Sequence, residues 1–252
     1  MNKFLTKDIL KKIKQYSLKN HREEICGLIY VSTFKKEIII RECENISLDK
    51  RNKFLINPAD RKICEQKGKV LASFHSHIKG GGFSSEDINS SLQTEIPYIL
   101  YNIIENKFYF FDPIKYCYYK KYINLNYQNG VNDCWATLGR YFNDELKISI
   151  IDPECERFKK PDKNLSWAYE DRKEWMDKVN LRRIDPKCIR DLEVNDILVL
   201  KSQNEEIPTS GAILLHNKLI LHQRDHQISK IESLRKAHFK MISYVGRLSY
   251  EK

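Results

Sequence analysis

The sequence lacks most features that mark secreted, disulfide-linked or membrane proteins. Its seven cysteines are an odd number and include no Cys-x-x-Cys pair, so neither a disulfide framework nor a cysteine zinc site is indicated. The amino terminus has no apolar stretch of the signal-peptide kind, and no apolar run reaches the length of a transmembrane helix. We therefore expect free thiols, synthesis in a reducing cytoplasm and no membrane span.

A concentrated run of basic residues is also missing. The chain of 252 residues has 44 basic and 34 acidic side chains, which gives a formal net charge of +10. Such a balance favours anionic partners in general, but the lysines are spread over every segment, so we expect no specific nucleic-acid binding. The apolar fraction of 41% suffices for packed cores, and the length permits one large domain or two ordinary ones.

The stretch from Ser73 to Asp87 carries the clearest chemical pattern. His75 and His77 end a strand-like run, and residues two apart on a strand point to the same face. The glycines at positions 80–82 let the chain turn, so that Asp87 returns a carboxylate from the start of the next helix. Two histidines and one carboxylate leave a fourth zinc position open, which is typical of a catalytic rather than a structural zinc site.

A simpler interpretation explains part of this stretch. Ser84 followed by Asp87 also fits a helix start, because a serine cap with an acid three residues on resembles a capping box. One histidine alone is more often a solvated side chain. The pair of histidines at the end of a buried-type strand is left unexplained, and we therefore predict that His75, His77 and Asp87 bind zinc.

These residues bear a family resemblance. His-Ser-His followed by Ser-x-x-Asp resembles the core of the JAB/MPN (JAMM) zinc metallopeptidases, whose upstream glutamate often precedes a Cys-Gly-Leu and here matches Glu24. The resemblance implies that the two histidines and the aspartate bind zinc, that Glu24 is the general base toward the attacking water, and that Ser84 supports the oxyanion. The loop 78–83 is one residue shorter than is usual in the family, and Ile78 stands where proline is usual.

The order of predicted elements fits one α/β domain over residues 1–115. We predict three helices, over Thr6 to Asn20, Pro58 to about Gly68, and Ile88 to Glu95. Strands are predicted over Glu24 to Val31, Glu37 to Glu42 and Lys69 to Phe74, and a hairpin over Pro97 to Ile104 and Lys107 to Phe111. Asn45 to Asn57 is predicted as an extended connection between the second strand and the second helix. This order is similar to that of the α-β-α fold of the JAB/MPN family. Tyr116 to Tyr122 is either a final strand or a linker.

A second pattern begins before Cys134. Asp133 is a plausible helix cap, and Trp135, Leu138 and Phe142 continue at helical spacing. The first turn of a helix favours a thiolate, but by position alone a buried structural cysteine is the simpler interpretation of Cys134. Gly-Val-x-Asp-Cys at a helix start resembles the NlpC-type cysteine peptidases, which cleave peptidoglycan stem peptides, and this implies a papain-like α+β domain over residues 116–252.

The histidines expected in that family are only partly present. Strands are predicted over Leu192 to Leu200, Ser210 to Leu215 and Lys218 to His222, and the resemblance places His222 at the second histidine position. Ser210 falls on the first, the general base, which serine cannot replace because its pKa is far from neutral. We therefore expect a degenerate domain with little turnover. His216 is predicted at a hairpin turn, His226 and His238 as surface or partner contacts, and a helix over Asn164 to Val179.

The two patterns in this order resemble the tail assembly protein K family of long-tailed phages. The resemblance implies a two-domain α/β (α+β) tail-tip assembly protein with a zinc-dependent isopeptidase-type amide hydrolase. Phage tail-tip proteins would be its partners, and a peptide or a peptidoglycan stem peptide its substrate. It would act in the host cytoplasm during assembly, with the virion tail tip as a second location. Two alternatives remain open, a non-catalytic structural tail factor and a cellular deubiquitinase-like JAMM protein whose C-terminal half is a binding module.

Overall fold

The computed structural model describes residues 4–128, 131–150, 179–201, 210–224 and 226–249. Backbone contacts divide the chain into two compact units, Met1–Tyr118 and Tyr119–Lys252. Each unit combines one β-sheet with helices, which confirms the predicted α+β fold class. The predicted boundary between residues 115 and 116 lies a few residues before this division. Among the described residues, no helix has the length and apolarity needed to cross a membrane.

The first unit closely follows the predicted order of elements. Its helices are α1 (Lys7–Lys19), α2 (Pro58–Lys67) and α3 (Ser85–Thr94), and its strands are β1 (Cys26–Ser32), β2 (Ile38–Cys43), β3 (Gly68–His77), β4 (Tyr98–Asn102) and β5 (Lys107–Phe111). The strands form a sheet in the order β2-β1-β3-β4-β5. Only the pair β3–β4 in this sheet is parallel, and α3 connects these two strands.

Local capping explains where these helices begin. The Thr6 hydroxyl accepts a hydrogen bond from the Ile9 amide at the start of α1. Asn57 caps α2 in the same way, with Pro58 at the first helical position, where its missing N–H costs nothing. Both helix starts were predicted from the sequence and are confirmed.

The sheet of the first unit is covered on both faces. One face packs against α1, and its buried cluster consists of Ile9, Ile13, Ile25, Ile29, Ala72, Phe74, Ile99 and Tyr101. The other buried cluster consists of Cys26, Leu28, Tyr30, Cys43 and Cys64, the last of which lies on α2. Full burial of a large apolar side chain stabilises a fold by about 1.5–3 kcal/mol, so these clusters fix the position of the β3 end that carries the histidines.

Gly27 allows the central strands to pack closely beside the histidines. A Cβ atom at this position would lie 2.3 Å from the Arg41 carbonyl oxygen and 2.3 Å from Cζ of Phe74. Any side chain would therefore displace Phe74, the residue directly before His75. The glycine of the Cys-Gly-Leu sequence thus has a packing reason that is independent of any chemistry.

The second unit is built on a six-stranded sheet in the order β10-β9-β8-β7-β11-β6. Its strands are β6 (Leu181–Ile184), β7 (Ile197–Leu200), β8 (Ser210–Leu215), β9 (Leu219–His222), β10 (Lys230–Ser233) and β11 (Ile242–Leu248). Helix α4 (Cys134–Tyr141) continues into a π-helical turn at Phe142–Leu146, and the short helix α5 (Lys236–Met241) precedes β11.

Two helices pack on opposite faces of this sheet. Gly211 faces α4, because a Cβ atom built on it would lie 2.6 Å from Cδ1 of Leu138. The next residue, Ala212, points the other way, since successive side chains of a strand alternate. It belongs to a buried cluster with Leu192, Leu198, Leu200, Leu214, Ile220 and Val245, against which Phe239 and Met241 of α5 pack.

Several predicted elements differ from the structure. Tyr116 to Tyr122 is neither a strand nor a linker, because Cys117–Tyr122 forms a 3-10 helix that buries Tyr119 and Tyr122. The strand predicted from Leu192 begins only at Ile197, after Asn195 with its positive φ of 72°. The predicted hairpin turn at His216 is confirmed. The helix predicted over Asn164 to Val179 lies almost wholly outside the described residues.

Candidate functional site

The structure brings His75, His77 and Asp87 together. One ligand atom from each lies within 4.8 Å of the other two. Nε2 of His75 is 3.4 Å from Oδ1 of Asp87, and Nε2 of His77 is 3.4 Å from Oδ2 of the same carboxylate. Within the part of the chain that the structure describes, this is the only group of three or more such side chains that could hold a metal ion.

The local fold holds the Asp87 carboxylate in place. Ser84 caps α3: its hydroxyl accepts from the Asp87 amide at 3.1 Å, and Oδ2 of Asp87 accepts from the Ser84 amide at 2.8 Å. This is a complete capping box. The simple interpretation and the metal interpretation of Asp87 are therefore compatible, since the cap orients the same carboxylate that faces both histidines.

His75 is fully buried among aromatic rings. Its ring stacks on Phe54 with the ring centroids 4.3 Å apart, and Tyr98 and Phe83 lie beside it. Neither ring nitrogen of His75 has a hydrogen-bond partner. A buried polar atom without a partner costs free energy, on the order of 1–3 kcal/mol. A cation among Nε2 and the two other ligands would satisfy that nitrogen, so these residues fit a metal ion.

The protonation states suit metal ligation. Burial lowers the pKa of His75, which keeps its imidazole neutral. Burial alone would raise the pKa of Asp87, but the contacts with His75 and His77 outweigh it and hold the pKa well below its usual value. Metal ligands must be neutral imidazoles and ionised carboxylates, and these two pKa shifts favour both forms.

Glu24 lies beside the three candidate ligands, just before β1. Its Oε1 is 3.9 Å from Nε2 of His77. Its backbone is fixed on both sides: its amide donates to the Lys50 carbonyl at 2.7 Å, and the Asn45 side chain donates to its carbonyl at 2.8 Å. Burial, the largest effect, raises the pKa of Glu24 from 4.5 to about 7, while the nearby charges of His77 and Asp87 act in opposite directions. The carboxylate therefore exchanges protons near neutrality.

Two residues of this site carry no sequence pattern that would have revealed them. Phe54 and Asn45 belong to the connection between β2 and α2, which the sequence predicts only as extended. The Phe54 ring stacks against the His75 ring, and the Asn45 side chain donates a hydrogen bond to the Glu24 carbonyl. Both act across long sequence separations, so neither periodicity nor capping rules could identify them.

Cys134 begins α4 as the sequence predicts. The Asp133 side chain accepts a hydrogen bond from the Ala136 amide at 2.9 Å, which confirms it as the cap. The cysteine is not in a disulfide and is buried, with 8% of its surface exposed. A thiol in the first turn of a helix has an environment that favours the thiolate, but its burial limits contact with a large substrate.

The strand register places His222 away from α4. His222 pairs with Ala212, and directly paired residues of adjacent strands point to the same face. Ala212 lies on the face that α5 covers, whereas Gly211 faces Leu138 of α4. Cys134 and His222, which the resemblance names as catalytic residues of one site, are therefore not brought together in the structure, because they belong to opposite sides of the sheet.

Ser210 also lies on the face opposite α4. It pairs with Leu200, which belongs to the same buried cluster as Ala212. The residue after His222 is Gln223, and it accepts a hydrogen bond from the hydroxyl of Thr137 in α4 at 3.3 Å. The residues that face α4 at these two positions are thus Gly211, which has no side chain, and Gln223, whose amide cannot act as a base.

His222 belongs instead to a buried ionic cluster. Its Nε2 lies 2.7 Å from Oε1 of Glu232, which also has Lys230 at 3.3 Å and His238 at 3.8 Å. Burial opposes ionisation of Glu232, but the hydrogen bond with His222 and the surrounding positive charges outweigh it and lower the pKa to about 2. The prediction of His238 as a surface or partner contact is wrong, since it is 8% exposed and its Nδ1 accepts from the Arg235 amide.

No protein-family model matches the chain, and no curated protein matches it.

Proposed function

We propose that the first unit is a zinc-dependent amide hydrolase of the JAMM type. The observation that carries this proposal is the convergence of His75, His77 and Asp87 with an unpartnered buried imidazole nitrogen, directly beside a buried glutamate. A purely structural histidine pair would be expected to satisfy its buried nitrogens within the protein.

The donor set favours zinc over other cations. Two imidazoles and one carboxylate are a common ligand set of catalytic zinc, whereas calcium and magnesium prefer oxygen ligands alone. Bound zinc supplies Lewis-acid chemistry, in that it polarises the scissile carbonyl and makes water a stronger acid. The side chain of His77 is 12% exposed while that of His75 is fully buried, so a substrate would approach from the His77 side.

Glu24 is the proposed general base. A base with a pKa near the working pH both accepts and returns a proton readily. The Glu24 carboxylate takes a proton from the water that attacks the amide carbonyl and passes it to the leaving amine. Its fixed backbone, between Lys50 and the Asn45 side chain, holds the carboxylate beside His77 throughout.

Ser84 is the proposed donor to the developing oxyanion. Its hydroxyl oxygen already accepts from the Asp87 amide, so the hydroxyl proton remains to be donated. A donor held in place before reaction stabilises charge without reorganisation. The capping box thus fixes the position of Ser84 as well as that of Asp87.

We propose that the second unit serves as a binding module without cysteine-peptidase turnover. The separation of Cys134 from His222 across the sheet supports this. The order of the two sequence patterns supports a role for the whole protein in phage tail-tip assembly, with tail-tip proteins as partners and a peptide or peptidoglycan stem peptide as substrate. The host cytoplasm during assembly is the proposed place of action.

Hydrolysis by the full-length protein tests this function. Purified murein and purified tail-tip proteins are each incubated with zinc-loaded protein, with and without chelator, and the products are identified by mass spectrometry. We expect cleavage of one of the two substrates that chelator abolishes and added zinc restores. Cleavage that persists in chelator would contradict the proposal, and zinc binding without cleavage of either substrate would favour a structural tail factor.

A further inference from the structure

The loop between the two halves of the metal centre is held from outside by one buried asparagine. Asn102 ends β4 and is fully buried. Its side-chain amide donates to the carbonyl of Lys79 at 3.2 Å and to that of Gly81 at 2.7 Å. Its side-chain oxygen accepts from the Glu105 amide at 2.9 Å. Both donor hydrogens of Asn102 are therefore used on the loop 78–83.

Glu105, in the turn that follows Asn102, also binds the loop 78–83. Oε1 of Glu105 accepts from the Gly81 amide at 2.7 Å, and the Tyr109 hydroxyl donates to the other carboxylate oxygen. Gly81 has a φ of 113°, a conformation that only glycine adopts without strain. We name Asn102 and Glu105 together the loop clamp.

The loop clamp lies where it can set the spacing of the ligands. The loop 78–83 begins directly after His77 and ends directly before Ser84, which caps the helix that carries Asp87. Asn102 is the strand partner of His77 in the parallel pair β3–β4. A displacement of the loop would therefore change the separation of the His77 and Asp87 ligand atoms.

We propose that Asn102 is a positioning residue of the metal centre: it holds the loop 78–83 so that His77 and Asp87 stay at a common ligand distance. This inference rests on the proposed function of the first unit. Partners outside the ligand set orient metal ligands, and their loss typically costs about 10- to 100-fold in metal affinity or activity. Neither the capping box nor the histidine pattern includes this asparagine.

The substitution Asn102→Asp tests the proposal in the full-length protein. Aspartate keeps the size and the acceptor oxygens but cannot donate to two carbonyl groups, which it would repel. We expect the zinc dissociation constant, measured by chelator competition, to rise about 10- to 100-fold. An asparagine with a merely structural role would lower the melting temperature of the metal-free protein and leave the zinc affinity of the folded protein unchanged.

A matched control lies in the same hairpin. Asn106 accepts from Lys14 and Tyr101 rather than contacting the loop, and its φ of 47° suits glycine. Asn106→Gly should therefore retain the zinc affinity of the wild type. Glu105→Gln keeps an acceptor for the Gly81 amide and should also retain most of the zinc affinity, whereas Glu105→Ala should lower the zinc affinity.

The outcomes separate this inference from the proposed function. Unchanged zinc affinity in folded Asn102→Asp overturns the inference even if the protein hydrolyses its substrate. If Asn102→Asp does not fold, Glu105→Ala decides the question, and wild-type affinity in that variant overturns the inference as well. Weakened zinc binding in Asn102→Asp, together with no hydrolysis by the zinc-loaded wild type, supports the inference and contradicts the proposed function.

Discussion

Each unit contains a buried glutamate beside histidines, and the two glutamates have opposite pKa shifts. In the first unit, Oε1 of Glu24 lies 3.9 Å from Nε2 of His77, and burial raises the pKa of Glu24 to about 7. Glu232 in the second unit lies 2.7 Å from His222. There, burial works against ionisation, but the hydrogen bond with His222 and the nearby charges outweigh it and lower the pKa of Glu232 to about 2.

The difference separates the carboxylate that we propose as a general base from a structural one. Glu232 is ionised at neutral pH and bound directly to His222, so it has no proton to exchange in the working range. Glu24 has no such direct partner in its histidine pair, and it can change protonation near pH 7. A histidine next to a carboxylate is therefore not enough to indicate a reactive site; the distance between them and the unsatisfied nitrogen of His75 distinguish the two clusters.

The largest expected effect is on hydrolysis by the Glu24→Gln variant. Glutamine has nearly the same shape but cannot accept the proton of the attacking water, so kcat/KM should fall by about 10²- to 10⁴-fold. Zinc content should stay at the wild-type level, because Glu24 is not among the three ligands. Steady-state rates and elemental analysis on the same samples check both statements, and a wild-type rate in Glu24→Gln would show that Glu24 is not the base.

Glu232→Gln should destabilise the folded protein. The folded-state pKa of Glu232 lies below 4.5, so its contribution is fully present above pH 4.5 and is lost as the pH falls toward 2. A pKa shift of this size corresponds to roughly 2–3 kcal/mol of stability at neutral pH, and the difference in the free energy of unfolding between wild type and variant should disappear near pH 2. Urea titrations at several pH values measure this free energy of unfolding. A difference that is constant with pH would be incompatible with this role of Glu232.

The corresponding Glu24→Gln variant should have the opposite effect on stability in metal-free protein. The folded-state pKa of Glu24 is raised, so the folded state loses stability as the pH rises from 4.5 to 7. Glutamine removes this loss and should stabilise the metal-free protein by on the order of 2 kcal/mol at pH 8, with no difference at pH 4. Destabilisation at pH 8 would contradict this, since it would mean that contacts of the ionised Glu24 carboxylate compensate for its burial.

The smallest expected effect concerns the second unit as an enzyme. Ser210 and His222 lie on the face opposite α4, so Ser210→His places its imidazole away from the Cys134 thiol. With chelator present to suppress the proposed zinc hydrolase of the first unit, we expect no measurable cleavage of stem peptides in wild type, in Ser210→His or in Cys134→Ala. Cleavage in Ser210→His that disappears when Cys134 is also replaced would show that the strand register has been misassigned.

The first unit could be predicted from its sequence because its signals are local. The two-residue spacing of His75 and His77, the capping pattern from Ser84 to Asp87 and the turn glycines each act within a few residues. The support of the site acts over longer distances and left no pattern, as Asn102 contacts the site from the end of β4, and Asn45 and Phe54 contact it from the connection between β2 and α2.

The second unit shows the limit of spacing arguments on strands. A shift of one residue moves a side chain to the other face of a sheet. Two residues at the sequence positions of the family's histidines therefore need not face the helix that carries the cysteine. Gly211 rather than Ser210 meets α4, and Gln223 rather than His222 reaches Thr137. The core packing against Leu138 decides which face each residue takes, and that packing is not visible in the sequence pattern.

Zinc content of purified protein tests the central claim most directly. Elemental analysis would compare wild type, His75→Ala/His77→Ala, and His222→Ala as the matched control from the second histidine cluster. We expect one zinc per chain in wild type and in His222→Ala, and little zinc in the double variant, because Asp87 would be the only one of the three proposed ligands left. Equal zinc in wild type and in His75→Ala/His77→Ala would contradict the central claim.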